Sequence, residues 1–516
     1  MVGERHGRND GCRGRRPVAR GAVAALLASA LSAFLVAPAG AILPPPPPSS
    51  PPIKVIVQQL SPNDPGPATL VGLLGGRVTQ QLPIITGFAA TLPTNAVTDL
   101  IGHPGVRVVS GDHAVVPSGV AVDAPVGPSV HREAIGSSAA NAAGLTGAGT
   151  TVAVLDTGIA AVPALAGELR TVSATGAKCI NLSTESGCQD SFGHGTFVAG
   201  MVHSVAPDAD LVSVKLSGRD GTSSVSTVLA ALQWVIANRQ VHGIDVVNLS
   251  MRSEPSLSYR LDPLNLAVEQ VWANGITMVV AAGNQGSGPG TIAKPGDDPW
   301  VITVGASDDH GTATTDDDTV ADFSSRGPTL ADGLAKPDVV APGRSLHSLR
   351  SPGSEADLRY PNFVDGTHRL GSGTSFAAPE VAGAAALLHQ ADPSATNDRI
   401  KFALTETARP LGAAHDAGHG TIDIGAALSA PPGEANQETF HPILFPGGAP
   451  SLLDLLSTQY EGTSWQGTSW QGTSWQGTSW QGTSWQGTSW QGTSWQGTSW
   501  QGTSWQGTSW QGTSWQ

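Results

Sequence analysis

Continuous apolar runs and helical stripes alternate through the middle of the chain. Thr151-Val152-Ala153-Val154-Leu155 is one such run, and others cover 210–216, 244–249, 276–282 and 300–305. A strand that is apolar on both faces is buried on both, as in a parallel sheet covered by helices. Between the runs, Val225, Val228, Leu229, Leu232, Val235 and Ile236 recur at helical spacing and predict a helix with one core-facing stripe. This alternation predicts one α/β domain over 130–430, doubly wound around a mostly parallel sheet. Such sheets carry their sites at the carboxyl ends of strands.

Upstream the pattern is different. Lys54-Val55-Ile56-Val57-Gln58 and 84–92 read as strands, 95–102 as a short helix and 106–109 as a further strand. Residues 54–118 therefore form a small α+β unit, too small to be very stable alone. Residues 42–53, with prolines at 44–48, 51 and 52, are a stiff extended spacer. Residues 118–128 read as linker, and so do 431–461.

From Gly462 to Gln516 the unit Gly-Thr-Ser-Trp-Gln runs eleven times and holds eleven of the fourteen tryptophans. A period of five matches neither a helix face nor a strand face, since an odd step along a strand alternates faces. Residues 462–516 are thus a low-complexity tail with no single buried face specified. It reads as a sticky, non-catalytic segment, or as a tryptophan array that stacks on glycans or wall polymers.

The formal charge of −14 comes with no basic block, which argues against a nucleic-acid partner. Arg5, Arg8, Arg13, Arg15, Arg16 and Arg20 precede an uncharged stretch, 21–36, and Ala39-Gly40-Ala41 follows as a small-x-small cleavage signal. Residues 1–41 read as a secretory signal peptide. Export then removes Cys12 and leaves two cysteines, Cys179 and Cys188, in an oxidising compartment, where one disulfide is expected.

Three motifs carry chemistry. Asp156-Thr157-Gly158 follows the first apolar run. An aspartic dyad would need a second such carboxylate, and no second Asp-Thr/Ser-Gly is present. His194 lies in Gly193-His194-Gly195-Thr196, where the glycines let the backbone come close. Ser375 lies in Gly373-Thr374-Ser375-Phe376-Ala377-Ala378-Pro379 and opens a helix of small residues through Leu388, with Pro379 expected in its first turn. A serine there is ordinarily a cap, but free N–H groups at a helix start also suit a nucleophile and an oxyanion.

The order Asp156, His194, Ser375 resembles that of subtilisin-like serine proteases, the subtilases. Asp190, Val246-Val247-Asn248-Leu249-Ser250, Ala281-Ala282-Gly283-Asn284, Phe323-Ser324-Ser325-Arg326-Gly327-Pro328 and Lys336-Pro337-Asp338 through Gly343 extend the resemblance over 130–430. Residues 54–118 resemble the family's inhibitory propeptide, although only 68–74 match its first helix. The resemblance implies a secreted endopeptidase, made as a self-processed zymogen cut somewhere in 113–130. It makes Ser375 the nucleophile, His194 the base, Asp156 its orienter and Asn284 the oxyanion donor, with Thr374 bracing that site. It places Ser250, Met251 and Arg252 along the substrate and Ala281, Ala282 and Gly283 in the P1 pocket.

Two departures stand out. The family has glycines where this chain has Arg252-Ser253-Glu254, so Arg252 either restricts the cleft rim or is a solvated arginine. The short step from His194 to Val205-Ala206-Pro207 leaves no room for the family's calcium loop. No cofactor is expected to be required. The pairs and triplets at 308–309 and 316–318 could hold calcium, but read more simply as solvated acidic loops. Expected partners are protein or peptide substrates and the chain's own prodomain, with glycan or wall contact through the tail; the protein is expected to be an extracellular monomer. The competing function is a wall- or glycan-adhesive protein whose repeat tail does the main job.

Overall fold

The computed structural model describes residues 51–119, 129–172, 176–254, 257–361 and 364–436, and strand segments within 464–515. The signal peptide, most of the spacer and most of the two linkers lie outside the described residues.

Strand β1 (Pro52–Gln59) takes in the last two residues of the predicted spacer. It is followed by α1 (Gly66–Leu73), β2 (Arg77–Leu82), β3 (Gly87–Pro93), α2 (Val97–Ile101) and β4 (Val106–Gly111). The strands form an antiparallel sheet in the order β2-β3-β1-β4. Strand alternation divides β1 between two cores. Val55 and Val57 pack with Val71, Phe88 and Leu100 in a small core of their own. Ile56 faces the other way and joins Leu82, Ile85 and Ala89 in the large core of the α/β domain. The small unit thus borrows a core for its second face. Gln58 donates to the Leu261 carbonyl at 2.8 Å, and the Asp112 carboxylate accepts from Ser226 N and Oγ, both at 2.8 Å.

After β5 (Ala114–Pro117) come α3 (His131–Ala134), α4 (Ser137–Ala142), β6 (Thr151–Asp156), β7 (Cys179–Asn181) and α5 (His194–Val205). Next are β8 (Asp210–Lys215), β9 (Ser223–Ser224), α6 (Val225–His242), β10 (Ile244–Leu249) and β11 (Met251–Arg252). The chain continues through α7 (Pro263–Ala273), β12 (Thr277–Ala281), β13 (Ile302–Asp308), β14 (Thr319–Val320) and β15 (Val339–Pro342). It then forms β16 (Leu346–Leu349), α8 (Glu355–Arg359), β17 (His368–Gly371), α9 (Thr374–Ala391) and α10 (Asn397–Glu406).

The main sheet runs β7-β8-β6-β10-β12-β13, with β15 also on β13 and all of these pairs parallel; β14 adds antiparallel. Helices α5 and α9 cover one face, and α6 and α7 the other. From β6 the chain first builds outward to β7 and β8, then returns to add β10 on the opposite side. That reversal opens a crevice at the carboxyl end of β6, where Asp156 ends the strand.

An oxygen cage supports the far edge of the sheet. The carbonyls of Pro299, Trp300 and Val301 accept from Lys401 Nζ at 2.7–3.1 Å, and Asp338 Oδ1 lies 3.2 Å from it. Burial raises the Asp338 carboxyl, but the ammoniums of Lys336 and Lys401 outweigh this and hold it below the usual range.

In the tail, β18 (Ser464–Gln471), β19 (Ser474–Gly477) and β20 (Trp480–Gln481) make one turn of chain. The pattern returns as β21 (Ser484–Gln491), β22 (Ser494–Gly497) and β23 (Trp500–Gln501), then as β24 (Ser504–Gln511) and β25 (Ser514–Trp515). Equivalent strands pair in parallel, Ser464 with Ser484 and Ser484 with Ser504. Four units of five restore the register that one unit cannot, so the repeat reads at twenty residues rather than five.

Candidate active site

Three elements converge on the crevice. The carboxyl end of β6 supplies Asp156, the start of α5 supplies His194, and the start of α9 supplies Ser375. His194 Nδ1 and Asp156 Oδ1 are 2.8 Å apart and both residues are buried. Thr157 N donates to the same Asp156 oxygen at 2.7 Å. This contact fixes the tautomer that leaves His194 Nε2 facing the crevice. Nε2 has no protein partner, as a base awaiting a proton requires.

Asp190 sets this geometry. Its carboxylate accepts from Thr157 Oγ1, Gly193 N, Thr196 N and Thr196 Oγ1 at 2.7–2.8 Å. It ties the Asp156 loop to the first turn of α5. Burial raises its carboxyl, against those four bonds. Gly195 sits where a Cβ would lie 2.1 Å from the Gly158 carbonyl, so no side chain fits between the two loops. Lys215, fully buried, donates to the Thr157 and Gln189 carbonyls and braces the loop from below.

Ser375 is the second residue of α9, with Oγ donating to the Ser250 carbonyl at 2.8 Å. The structure corrects the expectation for Pro379. It lies inside the helix, beyond the first turn. Its missing N–H leaves the Ser375 carbonyl without the usual helical donor, and Ser250 Oγ fills that role at 2.8 Å. Asn284 accepts from Thr374 N at 3.0 Å through Oδ1, which turns its amide nitrogen towards Gly373. Thr374 Oγ1 accepts from Gly283 N at 3.1 Å.

The crevice holds a piece of the chain itself. Strand β5 lies between β11 and β9, antiparallel to both, with Pro117 opposite Met251, Val116 opposite Arg252 and Val115 opposite Ser223. Ser118 N donates to the Ser250 carbonyl at 3.3 Å, and the Ser118 carbonyl accepts from Ser375 N at 3.2 Å. The Ser118 side chain is buried and its hydroxyl has no partner. At Gly119, φ is +129°, and a Cβ would lie 2.8 Å from the Asn284 amide nitrogen. A Cβ on Gly373 would lie 2.8 Å from the Ser118 carbonyl oxygen and 3.0 Å from that same nitrogen. The Ser118 carbonyl thus sits at the start of α9, beside Asn284.

Ser250, Met251 and Arg252 lie along β5. Arg252 is ion-paired with Glu254 at 2.7 Å and largely covered, so it is not a freely solvated arginine. Ala281, Ala282 and Gly283 are buried beside Thr374 and Asn284. The opposite wall, Ser223–Ser224, has no apolar alternation and escaped the sequence reading; only its place opposite β5 reveals it. Cys179 and Cys188 are joined, with 5.6 Å between Cα atoms. Among the described residues no group of three or more His, Cys, Asp or Glu is arranged to hold a metal ion. Helix α5 runs unbroken to Val205, and the oxygen cage near the sheet edge is filled by Lys401.

A doubly wound sheet with an Asp-His pair and a helix-start serine at its switch point defines a serine hydrolase of the protease type. Comparison with known proteins narrows this. The model of the subtilase family matches residues 147–420, and the chain belongs to that family. It is 42% identical over 275 residues to the serine protease AprX of Bacillus subtilis (strain 168), covering 50% of this chain and 60% of that protein. It is 32% identical over 365 residues to subtilisin E of the same organism, covering 68% of this chain and 83% of the relative. Among solved structures, fervidolysin from Fervidobacterium pennivorans, a keratinolytic enzyme related to subtilisin, matches with a TM-score of 0.59 and 25% identity. That match covers 75% of this chain and 62% of fervidolysin. Among the described residues no helix is long and apolar enough to cross a membrane.

Proposed function

We propose that this chain is a secreted serine endopeptidase made as a zymogen, and that its first substrate is its own Ser118–Gly119 bond. The observation that carries this reading is the Ser118 carbonyl on Ser375 N, at the end of a strand hydrogen-bonded into the crevice. Residues 54–118 are the inhibitory prodomain and 130–430 the catalytic domain. Residues 1–41 direct export.

In the reaction, Ser375 Oγ turns from the Ser250 carbonyl towards His194 Nε2 and attacks the Ser118 carbonyl carbon. His194 takes the hydroxyl proton, and Asp156 holds the imidazolium that forms. The developing oxyanion is met by Ser375 N–H and the Asn284 amide. The C–N bond to Gly119 breaks as His194 returns the proton to the Gly119 nitrogen. Water, activated by His194, then releases Ser118 as a carboxylate and regenerates Ser375. Later substrates add as extended strands between Ser223–Ser224 and Ser250–Arg252, with Ala281, Ala282 and Gly283 around the P1 side chain. The proposed steps call on protein groups and water.

The test is fluorophosphonate labelling of secreted protein, with intact masses of wild type and Ser375→Ala. Labelling of wild type alone, with a new N-terminus at Gly119 only there, is expected. A folded wild type that neither labels nor loses residues 54–118 would overturn the reading.

A further inference from the structure

The tail carries an interaction surface of its own. Its strands stack in three parallel sets, β18-β21-β24, β19-β22-β25 and β20-β23. Each residue pairs with its own kind twenty positions on, such as Trp465 with Trp485 and Trp485 with Trp505. The same holds for Trp475 with Trp495 and for Trp480 with Trp500. The turns of this coil are therefore identical in sequence and in register.

Among the described residues, β18 pairs only with β21, and β24 only with β21. Among the described strands, the outer edges of β18 and β24 have no strand partner, and such an edge offers a row of backbone donors and acceptors. Repeat stacks normally close such ends with atypical, polar terminal units, and exposed edges are blunted by lysine, proline or bulges. The repeat unit Gly-Thr-Ser-Trp-Gln contains none of these and no ionisable side chain.

We infer that the tail is an assembly module whose partner is a second copy of this chain. Seating β18 of one copy on β24 of another repeats the pairing already made between β18 and β21, with the same Ser–Ser and Trp–Trp partners. The joint is head-to-tail, so it leaves a free edge at each end and propagates rather than closing. This departs from the monomer expected from sequence. The rest of the chain carries the net charge of −14, which opposes assembly at low salt and is screened as salt rises.

The experiment compares Ser375→Ala protein, used to prevent digestion, with the same protein ending at Glu461. Sedimentation velocity is run over a concentration series at low and high sodium chloride. The full chain should form species whose mass rises several-fold with concentration and with salt, and aligned samples should diffract at about 4.8 Å. The shortened chain should stay monomeric. A second variant places lysine and proline only in the outer turns (Trp465→Lys, Gln466→Pro, Trp510→Lys and Gln511→Pro). It should keep the far-ultraviolet signal of the middle turn and lose assembly. A full chain that remains monomeric throughout overturns the inference. So does assembly that survives removal of the tail or blocking of both edges. Retention on glycan by a monomeric tail would reassign the tail to carbohydrate.

Discussion

Ser250 and Ser375 exchange two hydrogen bonds: each side-chain hydroxyl donates to the other's backbone carbonyl, both at 2.8 Å. One of these replaces the helical bond that Pro379 removes. The other parks the Ser375 hydroxyl away from His194. Ser250→Ala removes the first, together with the bond that Ser250 Oγ accepts from the Asn248 amide at 2.9 Å. It leaves the buried Ser375 carbonyl unpartnered and should cost about 1–3 kcal/mol of stability. Thermal unfolding should show the loss, while fluorophosphonate labelling of the folded variant persists.

The Asn284 amide nitrogen lies close to Gly119 and Gly373, beside the Ser118 carbonyl. Asn284→Ala should slow turnover about 10²–10³-fold, the known effect of removing one such side-chain donor in a subtilisin. Peptide hydrolysis should fall in kcat, with KM little changed.

Gly119 combines a φ of +129° with Asn284, Ser372 and Gly373 close to where a Cβ would sit. Gly119→Val should slow release of the prodomain by about 5- to 150-fold, since a side chain crowding Asn284 and Gly373 adds about 1–3 kcal/mol where the transition state must form. The uncleaved precursor should also unfold at a lower temperature, because the same strain sits in its folded state. The rate of appearance of the mature mass checks this.

Glu269 is buried, and its carboxyl is pushed up to about 8 by burial first and by Asp298 second, against Arg107 and Arg260. Asp298, buried beside it, is pushed up to about 6. The folded state therefore holds a proton on Glu269 that the unfolded chain releases in the ordinary carboxyl range. Stability from this group is full below that range and is lost as pH rises through about 8. Glu269→Gln keeps the neutral form at every pH. Its stability relative to wild type should rise from pH 5 to pH 9, and a flat difference in denaturant titrations would refute the assignment.

Lys401→Met keeps the length of the stem but removes the charge from the oxygen cage. Asp338 loses one of its two ammoniums, and the carbonyls of 299–301 lose their shared donor. Asp338 keeps Lys336 at 2.6 Å, so the cost is that of buried carbonyls losing a donor, about 1–3 kcal/mol. Differential scanning calorimetry should report it.

How much of this was legible before the structure depended on the signal. The apolar runs at 151–155, 244–249 and 276–282 lie in central strands because burial on both faces writes itself into composition. Asp156, His194, Asn284 and Ser375 were legible from short motifs, since glycines and helix starts flank them. β2 was not: its Thr79-Gln80-Gln81 stretch makes a strand without an apolar face. Nor was β5, four residues ending in proline, which is ordered by the two strands beside it. Nothing in the sequence marks Lys215 and Lys401 as buried; their burial is decided by backbone carbonyls that only the tertiary fold gathers. The tail was not legible because one unit of five has no strand period, whereas pairing closes over four units.

A bound metal stabilises a fold only to the extent that its free concentration exceeds its dissociation constant. The ammonium of Lys401 has no such dependence. It is delivered by the same polypeptide that builds the cage, one cation per chain, and cannot be diluted away or extracted by a chelator. At this edge of the sheet, the cation that gathers the carbonyls is supplied by the polypeptide rather than by the medium.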